Sequence, residues 1–324
     1  QIKEIASSYE AGAAKYFSYL DRMNKTGNTL LINSGDLYQG SLESNYNRGH
    51  MLTDIMNYCQ FDSFTLGNHE FDWGQEYITI NKDCTYETKY KGDYRTPFLA
   101  ANIYDFDIKT KKVGSTQQSQ LGQEYTISTL ENGLKVGIIG TIGTDQITSI
   151  SSQNVDNITF IDPIEKTKEL SNKLRLEEGV DFVVGSFHAG INAVCNTGLT
   201  SISPTTGEKY CDAILTAHTH SGDYDVENGV PIIQAYSNGK DMGNLEFTVK
   251  KDGTIVYDGA KKDNYLQYAD LKDEVINPDI QEIIDAYALE TDEVGNEVLT
   301  TFNGRFSQST NVPKIMTEAM YVES

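Results

Sequence analysis

Four of the five histidines in this 324-residue chain lie in loops that directly follow short apolar runs, a pattern that strongly limits the possible folds. Four such loops occur, and they carry Asp36, then Asn68 and His69, then His188, and finally His218 and His220. Short apolar runs predict buried strands, and loops at equivalent ends of such strands meet at one edge of a sheet. We therefore expect these side chains to share one site. The fifth histidine, His50, lies on a predicted helix, where a surface or core role is expected.

Hydrophobic periodicity predicts helices that alternate with these strands. The predicted helices are Tyr9–Lys25, Met51–Cys59, Ile164–Leu176 and Pro278–Leu289, and the predicted strands are Leu30–Ile32, Phe64–Leu66, Phe182–Phe187 and Cys211–Ala217. Turn residues at Glu131-Asn132-Gly133 and Lys251-Asp252-Gly253 each separate two strand-like segments, which predicts two hairpins. The pattern favours an α/β fold with mixed sheets, covered by helices on both faces.

The composition excludes several classes of partner. The chain has 47 acidic and 26 basic residues, for a formal net charge of −21. A polyanion would be repelled by this charge, so no nucleic-acid partner is expected. No apolar run approaches the roughly 18 residues of a membrane-spanning helix. A globular protein without a membrane span is predicted, and no oligomeric state is assigned.

The character of the sequence changes near Lys261, after which polar and acidic segments surround one predicted helix. We predict one domain over residues 1–262. Residues 263–324 are interpreted as a linker helix and the beginning of a second domain.

The four cysteines are too few for a disulfide-built scaffold. Cys195 and Cys211 bracket a loop that a disulfide could close, and two buried thiols are the alternative. The pair Cys59 and Cys84 is likewise left open.

Asp, Asn and several His together suit a borderline divalent ion, with zinc or manganese expected and iron(II) as the alternative. Two such ions, bridged by a carboxylate, could clamp a phosphate and generate a nucleophile near neutral pH. The ions would dominate the local field, so an acidic protein could still bind a phosphoester.

The loops, in this order, resemble the motifs of the calcineurin-like metallophosphoesterases, with the fuller match to the 5′-nucleotidase branch and its 2′,3′-cyclic-nucleotide phosphodiesterase relatives. The segments that carry the resemblance are Asn33–Ser41, Gly67–Asp72, Phe187–Gly190, Ala217–His220, Ala100–Ile103 and Val230–Ala235. The resemblance implies a four-layer α/β/β/α metallophosphoesterase sandwich with mixed sheets over roughly residues 12–258.

The resemblance also implies a role for each site residue. Asp36 resembles the carboxylate that bridges both metals. The remaining ligands of one metal are resembled by three residues, Asn68, His188 and His218. His220 resembles a ligand of the other metal. His69 resembles the histidine that stabilises the transition state or protonates the leaving oxygen, and Asp72 resembles the carboxylate that orients it. A helix N-terminal cap is the alternative role of Asp72.

One departure from the family concerns an Asp-x-His motif, which supplies two ligands to the site that His220 completes. The sequence contains no such motif. The favoured interpretation is that this strand lies outside the present numbering, because the other ligands and the His69–Asp72 pair are intact. The alternative is an impaired site that retains only Asp36 and His220.

These observations lead us to expect a metal-dependent phosphoester hydrolase of the 5′-nucleotidase type, acting on nucleoside monophosphates and, second, on 2′,3′-cyclic nucleotides. A sugar-nucleotide or phosphodiester hydrolase is one alternative, and a catalytically impaired binding or adhesion module is the other. The resemblance further implies a secreted, periplasmic or cell-surface protein. Base-recognising aromatic residues would lie in a C-terminal domain of which residues 304–319 resemble only the beginning.

Overall fold

Helices and strands alternate along the chain in a computed structural model that describes residues 12–259 and 265–295. The helices are α1 (Ala13–Asn24), α2 (Leu42–Tyr46), α3 (His50–Cys59), α4 (Gln75–Asp83), α5 (Pro163–Lys173), α6 (Tyr268–Leu271) and α7 (Pro278–Gly295). The first strands are β1 (Ile32–Asn33), β2 (Ser63–Thr65), β3 (Phe98–Leu99), β4 (Ile103–Asp107), β5 (Lys112–Gln117), β6 (Tyr125–Thr129), β7 (Lys135–Ile142) and β8 (Ile158–Phe160). The later strands are β9 (Phe182–His188), β10 (Ala213–Thr216), β11 (Asp223–Glu227), β12 (Val230–Gln234), β13 (Asp241–Gly243), β14 (Phe247–Val249), β15 (Ile255–Tyr257) and β16 (Tyr265–Gln267).

Two sheets carry the loops of interest. The first is a parallel sheet in the order β1-β2-β3. The second has the order β11-β12-β10-β9-β7-β6, with four parallel central strands and an antiparallel strand at each edge. The sheets are mixed, as the hairpins predict.

The two sheets pack face to face, and helices cover their outer faces. Leu99 of β3 lies in one buried cluster with Ile138 of β7 and Val184 of β9, and this cluster joins the sheets. Helices α1, α3 and α7 pack on the outer face of the first sheet, and α5 packs on that of the second. The predicted four-layer α/β/β/α arrangement is confirmed.

The predicted elements agree with the structure in type and differ at their ends. The apolar run at Leu30–Ile32 forms a strand only at Ile32–Asn33, and the predicted helix at Ile164–Leu176 gives way to a π-helical turn at Leu174. Both hairpins are present, as β6–β7 and β14–β15. Residues 9–11 of the first predicted helix lie outside the described residues.

Helix α7 packs into the same core as the first helices of the chain. Its Ile280, Ile284 and Tyr287 are buried in one cluster with Phe17 of α1 and Ile55 of α3. The domain boundary at residue 262 stays a prediction, and residues 296–324, predicted to begin a second domain, lie outside the described residues.

All four cysteines are free thiols, so the structure favours the unbridged alternative for both pairs. Cys211 is buried at the start of β10, and burial raises the pKa of its thiol.

Among the described helices, none has the combined length and apolar character that crossing a lipid bilayer requires.

His50 begins α3 and is half-buried. Its ring stacks on Tyr86 with the ring centroids 3.9 Å apart, and its Nε2 is buried without a hydrogen-bond partner among the described residues. Burial, together with the nearby charge of Arg48, lowers the pKa of His50 to about 4.

This low pKa predicts a specific acid sensitivity. The unfolded chain protonates His50 near pH 6.5, whereas the folded protein resists protonation until about pH 4. The free energy of unfolding is therefore highest above pH 6.5 and falls as the pH drops toward 4. The parent protein loses unfolding free energy between pH 7 and pH 5. We expect His50→Phe, which keeps the stacked ring, to lose about 1–2 kcal/mol less over the same range. Urea unfolding of both proteins at the two pH values measures this difference, and equal losses would contradict the assignment.

Candidate metal centre and catalytic pair

The four loops leave the carboxyl ends of β1, β2, β9 and β10, and the packing of the two sheets brings these ends together. Ligand atoms of Asp36, His188 and His218 all lie within 4.8 Å of one another. Asn68 joins them, with its Oδ1 3.1 Å from His188 Nε2 and 3.1 Å from His218 Nδ1. The structure therefore places four of the predicted ligands in one cluster.

His188 is fully buried and faces this cluster with one defined nitrogen. Its Nδ1 lies 2.8 Å from the Ser34 carbonyl oxygen, which can only accept a hydrogen bond, so Nδ1 carries the proton. Nε2 then directs a lone pair at Asn68 Oδ1 and at Asp36 Oδ2, each 3.1 Å away. Such an arrangement is unfavourable unless a cation or a proton lies among these atoms, and it suits a divalent ion.

The pKa values of this group reflect the same crowding. Burial acts to lower the pKa of His188, but the hydrogen bond and charge of Asp36 outweigh it and raise the pKa. Burial acts to raise the pKa of Asp36, and His188 outweighs it and lowers the pKa. Burial and the neighbouring His188 lower the pKa of His218, which favours the neutral imidazole that a metal requires.

Two glycines make room for the cluster. A Cβ on Gly67 would lie 2.4 Å from Asp36 Oδ1, and a Cβ on Gly35 would lie 2.6 Å from His188 Nδ1. Gly35 also has a φ of +99°, a conformation that glycine adopts most readily. Any larger residue at either position would displace a ligand.

His69 and Asp72 form a pair beside the cluster. His69 Nδ1 lies 2.8 Å from Asp72 Oδ2. Burial acts to lower the pKa of His69, but the hydrogen bond that its ring donates to Asp72 and the charge of Asp36 raise it overall. The alternative role of Asp72 as a helix cap is not observed, because α4 begins after Gly74 without a side-chain cap. The pairing engages Nδ1 and restricts the orientation of the imidazole.

His220 is placed differently from the other predicted ligands. It shares a turn with His218, and both residues adopt left-handed backbone conformations, with φ of +57° and +77°. His220 is exposed and lies outside the group formed by Asp36, His188 and His218. Left-handed residues other than glycine are strained by about 1–3 kcal/mol and cluster at functional sites.

Two further residues support these loops, although the sequence analysis gave them no role. Gln234, at the end of β12, donates from Nε2 to Thr219 Oγ1 and to the carbonyl oxygen of Ser221, beneath the His218–His220 turn. Glu70 is buried and accepts hydrogen bonds from backbone N–H groups of two ligand loops. Burial and the charge of Asp36 raise the pKa of Glu70, and these N–H groups oppose the rise. Their position in the sequence could have indicated these roles, because Glu70 lies in the segment Gly67–Asp72 and Gln234 in the segment Val230–Ala235.

Comparison with known proteins identifies relatives of this arrangement. The family model described as calcineurin-like phosphoesterase matches residues 10–222. An apyrase from Tabanus yao is 28% identical over 311 residues, an alignment that covers 89% of this chain and 50% of the apyrase. A human 5′-nucleotidase is 28% identical over 276 residues, covering 78% of this chain and 43% of that protein. The chain therefore spans about half the length, or less, of these relatives.

Solved structures share the fold. A 5′-nucleotidase precursor from Thermus thermophilus superposes with a TM-score of 0.68 at 22% identity, covering 90% of this chain and 55% of that one. The calcineurin-like phosphoesterase YfkN from Bacillus subtilis gives a TM-score of 0.66 at 24% identity, covering 91% of this chain and 92% of that one. The arrangement of sheets and helices is thus shared with proteins of low sequence identity.

Proposed function

The chain belongs to the calcineurin-like phosphoesterase family, and from this premise we propose that it is a metal-dependent phosphoester hydrolase of the 5′-nucleotidase type. The observation that carries the proposal is the convergence of Asp36, His188 and His218 within 4.8 Å, with Asn68 between the two imidazoles. A fully buried histidine whose Nε2 faces two oxygens requires a proton or a cation among these atoms, and a divalent ion meets that requirement.

The proposed metal ligands divide into two groups. Asp36, Asn68, His188 and His218 would hold one divalent ion, and Asp36 with His220 would contribute to holding another. When bound, divalent ions neutralise phosphoryl oxygens and lower the pKa of water toward neutrality. Zinc and manganese suit this mixture of imidazole, amide and carboxylate ligands, and iron(II) is the alternative.

His69 would act on the leaving group. In hydrolysis, water adds to phosphorus, the bond from phosphorus to the leaving oxygen breaks, and that oxygen takes up a proton. The raised pKa of His69 favours the protonated ring, and Asp72 fixes the ring through Nδ1. Nε2 is then the atom that would deliver the proton or stabilise the developing charge.

Metal content tests the proposal directly. We expect at least one divalent ion per chain after purification and dialysis against zinc or manganese, and a second where further ligands join Asp36 and His220, measured by plasma mass spectrometry alongside intact mass. About one ion would support a single site at Asp36, Asn68, His188 and His218. Absence of bound metal would overturn the hydrolase proposal.

The proposed substrates are nucleoside monophosphates, with 2′,3′-cyclic nucleotides second. Relatives of this chain are named apyrase and 5′-nucleotidase, and these names support a nucleotide substrate. The chain covers 50% and 43% of those two relatives. We propose that the four ligand loops provide the reacting centre and do not themselves recognise the base.

A substrate comparison tests this division of labour. We expect the purified chain to hydrolyse p-nitrophenyl phosphate or its bis ester, with kcat/KM values for AMP and other nucleoside monophosphates that agree within about tenfold, or about 1.4 kcal/mol. Phosphate release and nitrophenol absorbance measure the two reactions. Strong selectivity for AMP would show that residues 1–324 already contain the base-recognition site.

A second candidate is a binding or adhesion module that retains the fold without catalysis. The observation that favours it is the placement of His220, which is exposed and lies outside the main ligand group, as expected of an impaired second metal site. This candidate predicts at most one bound ion and no hydrolysis of any phosphoester, so the two measurements above separate it from the hydrolase. For either candidate we propose a secreted, periplasmic or cell-surface location.

A further inference from the structure

Glu70 joins two ligand loops through an unusual set of hydrogen bonds. The residue is 1% exposed, and its carboxylate accepts from four backbone N–H groups. Oε2 lies 2.8 Å from the nitrogen of Asp36 and 2.7 Å from that of Gly67. Oε1 lies 2.9 Å from the nitrogen of Leu37 and 3.3 Å from that of Tyr38.

The backbone of the first loop is shaped to receive this carboxylate. Gly35 and Asp36 both adopt left-handed conformations, with φ of +99° and +60°. This bend directs the N–H groups of Asp36, Leu37 and Tyr38 toward the same side, as in an anion-binding nest. The nest encloses a side chain of the protein itself. Without Glu70, several backbone donors would be left unpaired in a largely buried region.

These bonds determine where the Asp36 carboxylate lies. Glu70 holds the backbone N–H of Asp36, and the adjacent His69 donates its backbone N–H to Asp36 Oδ1 over 2.9 Å. Oδ2 is thereby left facing His188 Nε2 at 3.1 Å. The loop after β2 thus fixes both the main chain and the side chain of a residue on the loop after β1.

We propose that Glu70 is a positioning residue that sets the affinity of the site for divalent ions by fixing Asp36 relative to Gly67, Asn68 and His69. The inference rests on the proposed metal-dependent function, and it assigns Glu70 no contact with substrate or ion. Replacing a residue that orients a metal ligand typically lowers metal affinity 10–100-fold.

The direct test is Glu70→Gln, with the dissociation constant for Zn²⁺ as the readout. Glutamine preserves size but loses the charge, and its NH₂ group would face backbone N–H donors instead of accepting from them. We expect the dissociation constant, measured by competition with a chromogenic chelator, to rise about 10–100-fold. This readout is independent of hydrolysis.

Asp54→Asn provides the matched control. Asp54 is another fully buried carboxylate, and it accepts from the backbone N–H groups of Lys89 and Tyr90 and from the hydroxyls of Tyr86 and Tyr287. It lies in α3, away from the ligand loops. We expect both variants to lower the urea midpoint of the metal-free protein, and only Glu70→Gln to weaken Zn²⁺ binding by more than about twofold.

The outcomes separate the two proposals. A Zn²⁺ dissociation constant for Glu70→Gln within twofold of the parent value, or one matched by Asp54→Asn, would overturn the positioning role and leave the hydrolase proposal intact. Zn²⁺ binding by the parent without phosphoester hydrolysis would overturn the hydrolase proposal alone. Absence of Zn²⁺ binding by the parent would overturn both. Should Glu70→Gln not fold, Glu70→Asp retains the charge on a shorter side chain, and we expect it to weaken Zn²⁺ binding at least about fivefold.

Discussion

Replacing His69 with alanine is expected to lower turnover about 10²–10⁴-fold while leaving the metal content unchanged. The loss follows from the proposed role, because the ring held by Asp72 would no longer supply a proton to the leaving oxygen. Metal content should persist because the side chain of His69 contacts Asp72 and not the ligand cluster. The contact from His69 to Asp36 is made by its backbone N–H, which alanine retains.

Steady-state kinetics on p-nitrophenyl phosphate and plasma mass spectrometry measure these two quantities on the same sample. His50→Phe is the matched control, because it removes the one histidine outside the four loops and should change acid stability without changing turnover. Loss of metal from His69→Ala would show that the ring is a ligand. Turnover within about threefold of the parent would contradict general acid catalysis by His69.

Replacing Asp36 with asparagine is expected to remove bound metal and to lower turnover by on the order of 10³-fold or more. Asp36 contributes the only negative charge among the four converging ligands, and metal ions contribute several kcal/mol of charge stabilisation to phosphoryl transfer. Asparagine is chosen because Asp36 has a φ of +60°, a conformation that asparagine tolerates better than most residues. The loop should therefore keep its shape.

Asp62→Asn serves as the control for Asp36→Asn. Asp62 accepts from the backbone N–H of Leu31 at the start of the β1 segment and from the hydroxyl of Ser128, so its loss affects stability near the same strand. We expect this variant to retain its metal and its turnover. Retention of the full metal complement by Asp36→Asn would contradict the proposed bridging role, and equal metal loss in both variants would indicate a general loss of structure.

The sequence was sufficient to predict the α/β class and several elements because these signals are local, whereas the four-layer arrangement was implied by the family resemblance. Apolar runs of strand length, apolar stripes of helical period and turn residues between strand-like segments predicted several strands and helices and both hairpins. The ends of the elements were less accurate. At Leu174 the α-helix passes into a π-helical turn, and β1 is limited to two residues, because tertiary packing and sheet pairing determine where regular hydrogen bonding stops.

The cysteines illustrate a question that spacing alone left open. Cys195 and Cys211 bracket a loop and could have formed a disulfide, but Cys211 is buried at the start of β10 and both are free thiols. A disulfide requires a specific approach of two Cβ atoms, which depends on the folded positions of both chain segments.

The residue types of the site were predictable from the sequence, because the loops that carry them follow recognisable buried strands. These strands belong to two different sheets, so the convergence of their ends depends on how the sheets pack. The tertiary structure alone decided which atoms meet. His188, Asn68 and Asp36 converge, His220 is exposed on a left-handed turn, Asp72 pairs with His69, and Glu70 closes two loops. These outcomes depend on backbone conformations at single residues and on contacts between segments far apart in the chain. Local periodicity carries no information about either, whereas the packing of two sheets determines both.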